Sequence, residues 1–214
     1  EIQFTQTVNS LPLVMDSLMY VNSNSDTFNI KTVKFFISDL TFYTPAGGYV
    51  VLQEKFYQDA SNMESLKKEI SQKIPRGNYN RVSFVIGFTN ANNISNMFTS
   101  NPEYQMFWPE NMGGGYHYQK LEGQFLKNGN KNNFNFHAGS LDKVDYSILV
   151  DFPNNSFTVT DQPVKLTINM EIQNWFKTPV IWDFDYFGAG IMQNHEAQET
   201  IQRNGHDVFS IIVI

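Results

Sequence analysis

Apolar and polar residues alternate along most of this chain, a period that a half-buried strand satisfies and a helix does not. Phe4-Thr5-Gln6-Thr7-Val8 opens in this way, and the longest such run extends from Phe28 to Tyr43. Thr44-Pro45-Ala46-Gly47-Gly48 breaks it, and a further strand is predicted from Tyr49 to Phe56. More strands are predicted at 79–87, 116–125, 134–137, 143–151, 163–172 and 207–214. Between two of them, Asn128-Gly129 supplies the positive φ angles of a two-residue hairpin turn.

Two segments read differently. Ser61-Asn62-Met63-Glu64 fits a helix-capping box followed by Leu66, Ile70 and Ile74. Those same positions also fit one strand face, so 61–74 stays open between helix and strand. Residues 88–113 read as a long Asn-rich structured loop, and loops of that length carry a function or a packing task. Residues 194–204 read as a short polar helix. Eight or more short strands with Gly, Pro and Asn turns predict an all-β fold. The expected form is a two-layer antiparallel β-sandwich of the Ig-like or Greek-key type, one domain over 1–214, with long loops and at most short helices. A closed barrel is the rival.

Composition narrows the function. Charged residues make up only 17% of the chain, and 24 asparagines carry much of its polarity and its turns. A net charge of −6 argues against nucleic acid as a partner. No apolar run approaches the ~18 residues of a membrane span. The absence of Cys removes disulfides, thiolate metal sites and cysteine nucleophiles together. A start at Glu1 is read as that of a mature exported protein.

No nucleophile elbow, phosphate-binding loop or dinucleotide fingerprint is present, so the chain is expected to bind rather than catalyse. His195-Glu196 begins like a zinc-protease helix, but Glu199 stands where the second His belongs. Asp183 and Asp185 flank Phe184 and in a strand would share a face as a carboxylate pair, a pattern more common on a solvated face or as a loop cap than in an active site. A transition-metal site would draw on His117, His137, His195 and His206, on carboxylates, or on the thioethers of Met106, Met112 and Met192. Imidazole and thioether suit copper. A turn centred on Asn128-Gly129 sets His137 opposite Lys120, three residues from His117. That offset is roughly 10 Å, too far for the two to share a metal. His195 and His206 remain free to join either. The aromatic cluster Trp175, Phe176, Trp182, Phe184, Tyr186 and Phe187 reads first as core packing and second as a platform for sugar rings.

Several segments, in order, resemble the MbnP-like family: Val33 to Leu40, Pro75-Arg76-Gly77-Asn78-Tyr79 leading to Gly87, Met106-Phe107-Trp108-Pro109, Gly115 to Gly123, and Phe136-His137-Ala138-Gly139. The resemblance implies an exported β-sandwich, periplasmic or on the outer surface, with a lipid anchor upstream of residue 1. It also implies copper held by histidines and an oxidised tryptophan (kynurenine), and a di-haem peroxidase-like partner. It makes Trp108 the candidate tryptophan, beside some of His117, His137, His195 and His206. Gln6 stands where the family's opening strand often carries a His, and Glu110 where it has a second tryptophan. The Asn-rich composition and the tail resemble the Bacteroidetes branch. Two other functions fit the residues: a glycan-binding or adhesion module using 175–187, and a scaffold with no small ligand.

Overall fold

The computed structural model describes residues 1–213, and its ten principal strands form two facing sheets. They are β1 (Ile2–Val8), β2 (Thr27–Tyr43), β3 (Tyr49–Val51), β4 (Phe56–Asp59), β5 (Arg81–Ile86), β6 (Gln119–Lys127), β7 (Asn130–Ala138), β8 (Ile148–Phe152), β9 (Leu166–Glu171) and β10 (Phe209–Val213). The expected all-β sandwich with few, short helices is what the chain adopts. One strand pair departs from a purely antiparallel plan: β1 runs parallel to β9, from Ile2↔Leu166 to Thr7↔Glu171. The smaller sheet is completed by β10 along β9. Residue 214, the end of the last predicted strand, lies outside the described residues.

In the larger sheet β2 is the spine. Its residues 28–35 pair with β6, and its residues 37–43 pair with β5. Phe36 takes an N–H···O bond to Tyr118 and accepts one from Gly87. Both groups of one strand residue point to the same side, so β5 and β6 lie on one edge of β2 and part at Phe36. The chain between them, residues 87–118, therefore leaves and re-enters the sheet at this gap and folds over its outer face. There Phe36, Tyr57, Phe88, Met106 and Tyr116 form a second apolar cluster. This cover explains why β2 is buried without alternation from Phe35 to Ser38.

The main core fills the space between the sheets. Phe4 of the smaller sheet meets Phe35 and Phe56 of the larger, and Phe209 meets Phe35, Phe84 and Trp175. Within that core Gln58 and Gln119 flank Phe35 in one cross-strand row. Both are fully buried, and none of their four amide atoms has a hydrogen-bond partner among the described residues. A buried amide without partners costs about 1–3 kcal/mol. Gln119→Met, close in shape, is therefore expected to raise the urea midpoint, a gain of about 1–2 kcal/mol. A fall in the midpoint would show that the amide is satisfied.

The ambiguous segment is neither a helix nor a full strand. Residues 60–66 form turns held by Ser65 and Asn62, and only Lys67–Lys68 pair with β1. Residues 88–113 are the expected long loop, with two 3-10 turns at Glu103–Met106 and Glu110–Met112. The predicted helix forms as α1 (His195–Asn204), capped by the Asn194 side chain accepting from the Ala197 N–H.

Candidate metal centre

β7 alternates faithfully, so Phe134 and Phe136 point into the core and His137 points to the outer face. The hairpin turn at Asn128-Gly129 forms as expected, both residues at positive φ, and His137 lies opposite Lys120. The alternation fails at the start of β6. Tyr118 packs in the main core and its neighbour Gln119, paired with Ala138 and Phe35, faces the same way. That break turns His117 on to the outer face, where its N–H bonds to the Met106 carbonyl rather than to the ladder.

As a result the His117 and His137 rings meet edge to face, with centroids 5.1 Å apart. The register deduced from the turn is right, but the conclusion that these two cannot share a site is overturned. It assumed an unbroken ladder, and the break brings the side chains together. Trp108 completes the group, its indole 4.7 Å from the His117 ring. The indole lies flat against Gly139, where an added Cβ would stand 2.5 Å from a ring carbon.

Each imidazole is fixed by its far nitrogen. His117 Nδ1 faces the Met106 carbonyl oxygen at 3.0 Å, so this nitrogen carries the proton and Nε2 presents its lone pair. Nε2 is buried and has no partner among the described residues. Burial, reinforced by the charge of Lys120, lowers the His117 pKa to about 3, so the ring is neutral at physiological pH. His137 Nε2 donates to Glu122 Oε1 at 2.8 Å, and no partner for Nδ1 is found among the described residues. The hydrogen bond from His137 holds the Glu122 carboxyl at about 2, below the usual carboxylate range. A carbonyl on one ring and a carboxylate on the other is the outer-shell pattern that orients imidazoles for a metal.

Two further contacts lock the pair. Gln198 of α1 accepts from the Gly139 N–H and donates to the His137 carbonyl, pinning the end of β7. Beside the pair, an open groove of about 180 Å³ is lined by Thr32, Lys34, Tyr57, Gln105, Met106, Lys120 and Glu122. Its wall includes Met106 and Glu122, the hydrogen-bond partners of the two rings.

The other candidates lie elsewhere. His195 sits at the start of α1, bonded to the Tyr146 hydroxyl and to Asp142. His206 is exposed in a 3-10 turn beyond α1. The Met106 thioether packs in the outer apolar cluster and Met112 against the main core. Among the described residues no three His, Asp or Glu side chains are placed to hold one metal ion. The imidazole pair beside an indole is thus the donor set on offer. Glu122 and Gln198, which orient the pair, were not singled out from the sequence. The Lys120 to Gly123 strand carried a signal for Glu122, because strand alternation sets it on the face of His137.

The aromatic cluster at 175–187 resolves as core. Trp175, Phe176, Trp182 and Phe184 are buried, and Phe136 packs against the first three. Of the six, Tyr186 alone is largely exposed, so no platform for a sugar ring exists there. Asp183 caps the single helical turn Phe184–Phe187, a structural task. No helix is long and apolar enough to cross a membrane among the described residues.

A family model described as MbnP matches residues 1–193. Among solved structures, MbnP from Methylosinus trichosporium superposes with a TM-score of 0.52 at 10% identity, covering 99% of this chain and 96% of that one. At such identity the likeness speaks of the fold. No curated protein matches the chain.

Proposed function

Because the chain belongs to the MbnP family, we propose that it is an exported binding protein, not an enzyme, whose ligand is copper held by His117 and His137 beside Trp108. One observation carries this reading. Two imidazoles touch, their outer nitrogens are committed to the Met106 carbonyl and to Glu122, and their remaining nitrogens have no hydrogen-bond partner among the described residues, His117 Nε2 being buried as well. Copper(I) accepts as few as two imidazole donors, and an imidazole pair suits it better than harder, oxygen-seeking ions. When bound, the metal would supply a redox-active centre. The protein's own part is to keep the buried His117 ring neutral and to hold both rings by their hydrogen bonds to Met106 and Glu122. Trp108 stands where an oxidised indole would offer a third donor, and a di-haem peroxidase-like protein is the partner this reading carries with it. Periplasmic or outer-surface placement belongs to the same reading.

Titration of metal-free protein with Cu(I) under a competing chelator tests it. One equivalent is expected to bind in the wild type and in His195→Ala and His206→Ala, and none stoichiometrically in His137→Ala. Equal binding by His137→Ala, or no binding above the urea-unfolded control, would sink the proposal.

A further inference from the structure

The imidazole pair stands at one end of a row of charged side chains. On the outer face of the larger sheet His137 of β7 lies opposite Lys120 of β6, Lys120 opposite Lys34 of β2, and Lys34 opposite Asp59 of β4. Residues directly opposite one another share a face, with Cβ atoms about 5 Å apart. Lys34 is paired with Asp59, Nζ to Oδ2 at 3.3 Å. Lys120 is not paired in this way. Among the described residues no carboxylate comes within ion-pair distance of it, and its Nζ donates to the Gln105 carbonyl oxygen at 3.0 Å. Gln105 belongs to the 3-10 turn Glu103–Met106, whose last carbonyl holds His117 Nδ1. Next to burial, the Lys120 charge is what disfavours a proton on the His117 ring, so the two groups interact electrostatically.

Glu122 acts in the opposite sense. By accepting from His137 it brings a negative charge within one hydrogen bond of the pair. Such a charge attracts a dication twice as strongly as a monocation, and alone it would favour oxidised copper. Lys120 lies two residues before Glu122 on β6, on the same face, and both line the groove beside the pair. Resting on the copper reading above, we propose that Lys120 sets the oxidation state this site prefers. Its ammonium offsets the Glu122 carboxylate, so that Glu122 orients His137 without favouring the dication, and Cu(I) is held in preference to Cu(II).

The test is competitive titration of wild type, Lys120→Gln and Lys120→Arg with Cu(I) and, separately, with Cu(II). It is run at low ionic strength, where a partly exposed charge is least screened. Lys120→Gln removes the charge and keeps an N–H donor for the Gln105 carbonyl. Its Cu(II) affinity is expected to rise, and the ratio of Cu(I) to Cu(II) affinity to fall ~10-fold. That ratio corresponds to a one-electron potential lower by ~59 mV. Lys120→Arg keeps the charge and should keep the wild-type ratio. A merely structural role for Lys120 would weaken both ions together and leave the ratio where it was. An unchanged ratio in Lys120→Gln, or the same fall in Lys120→Arg, would overturn the assignment while leaving the copper site standing. Wild type that binds neither ion would overturn the copper reading itself, and this proposal with it.

Discussion

Metal-free protein is expected to lose stability steadily as the pH falls from about 6.5 towards 3, and His117→Ala to remove most of that slope. The His117 ring is 4% exposed and unprotonated in the fold, with its pKa lowered to about 3 by burial. In the unfolded chain it titrates near its ordinary value of 6.5. Between those two values the unfolded state binds the extra proton, so stability rises with pH across that window. The slope is on the order of 1 kcal/mol per pH unit. Above 6.5 neither state binds the proton and His117 contributes no pH dependence. Glu122 adds a smaller effect of the same sign lower down: its depressed pKa gives stability that is present above about 4.5 and lost as the pH falls through 2. Urea unfolding at pH 7, 5.5 and 4.5 on wild type and His117→Ala measures the difference in slope, whatever the absolute stability of the variant. Parallel slopes would mean that the ring is hydrated or protonated in the fold. The same substitution removes one of two metal donors and should lower Cu(I) affinity at least ~100-fold. Glu122→Gln, which only loosens the His137 ring, should cost ~10–100-fold.

Gly123→Ala is expected to destabilise the fold by at least about 3 kcal/mol, a large fraction of what holds such a domain together. At this point β6 shifts register against β2: Glu122 pairs with Thr32 and Gly123 with Ile30, leaving Lys31 as an extra residue on the spine. The backbones approach so closely that a Cβ on Gly123 would sit 2.0 Å from the Asn29 carbonyl oxygen and 2.7 Å from the Phe134 ring. Neither can yield, since one is main chain of the central strand and the other a packed core aromatic. Gly129→Ala is the contrast. It has open space around it and only its φ of +77° against it, a cost of about 1–2 kcal/mol. Equal urea midpoints for the two variants would contradict this account.

How much of this was legible beforehand follows from which interactions are local. Strand positions, the Asn128-Gly129 turn and the pairing of His137 with Lys120 follow from alternation and turn chemistry, which are properties of neighbouring residues. The helix at 195–204 was legible for the same reason. What escaped depends on distant chain segments. Tyr118 turns inward because Gly87, thirty-one residues earlier by number, leaves room for its ring: a Cβ there would stand 2.2 Å from it. That single turn of the backbone brings His117 to His137, and no local pattern announces it. The segment at 61–74 fitted two periodicities, and tertiary contacts with β1 used only two of its residues as strand. The parallel β1–β9 pair was likewise invisible, since nothing in either strand names its partner.

That pairing has a consequence for how the chain comes to be made. Residues 2–8 leave the ribosome well before the strand they lie against, which comes some 160 positions later, as from Thr5 to Asn169. Synthesis from the N-terminus therefore delivers Ile2, Phe4 and Val8 long before their shelter exists. Contacts this far apart in sequence also slow folding, because the intervening chain must first be gathered in. A nascent chain would have to stay unfolded and guarded against self-association until β9 and β10 had emerged.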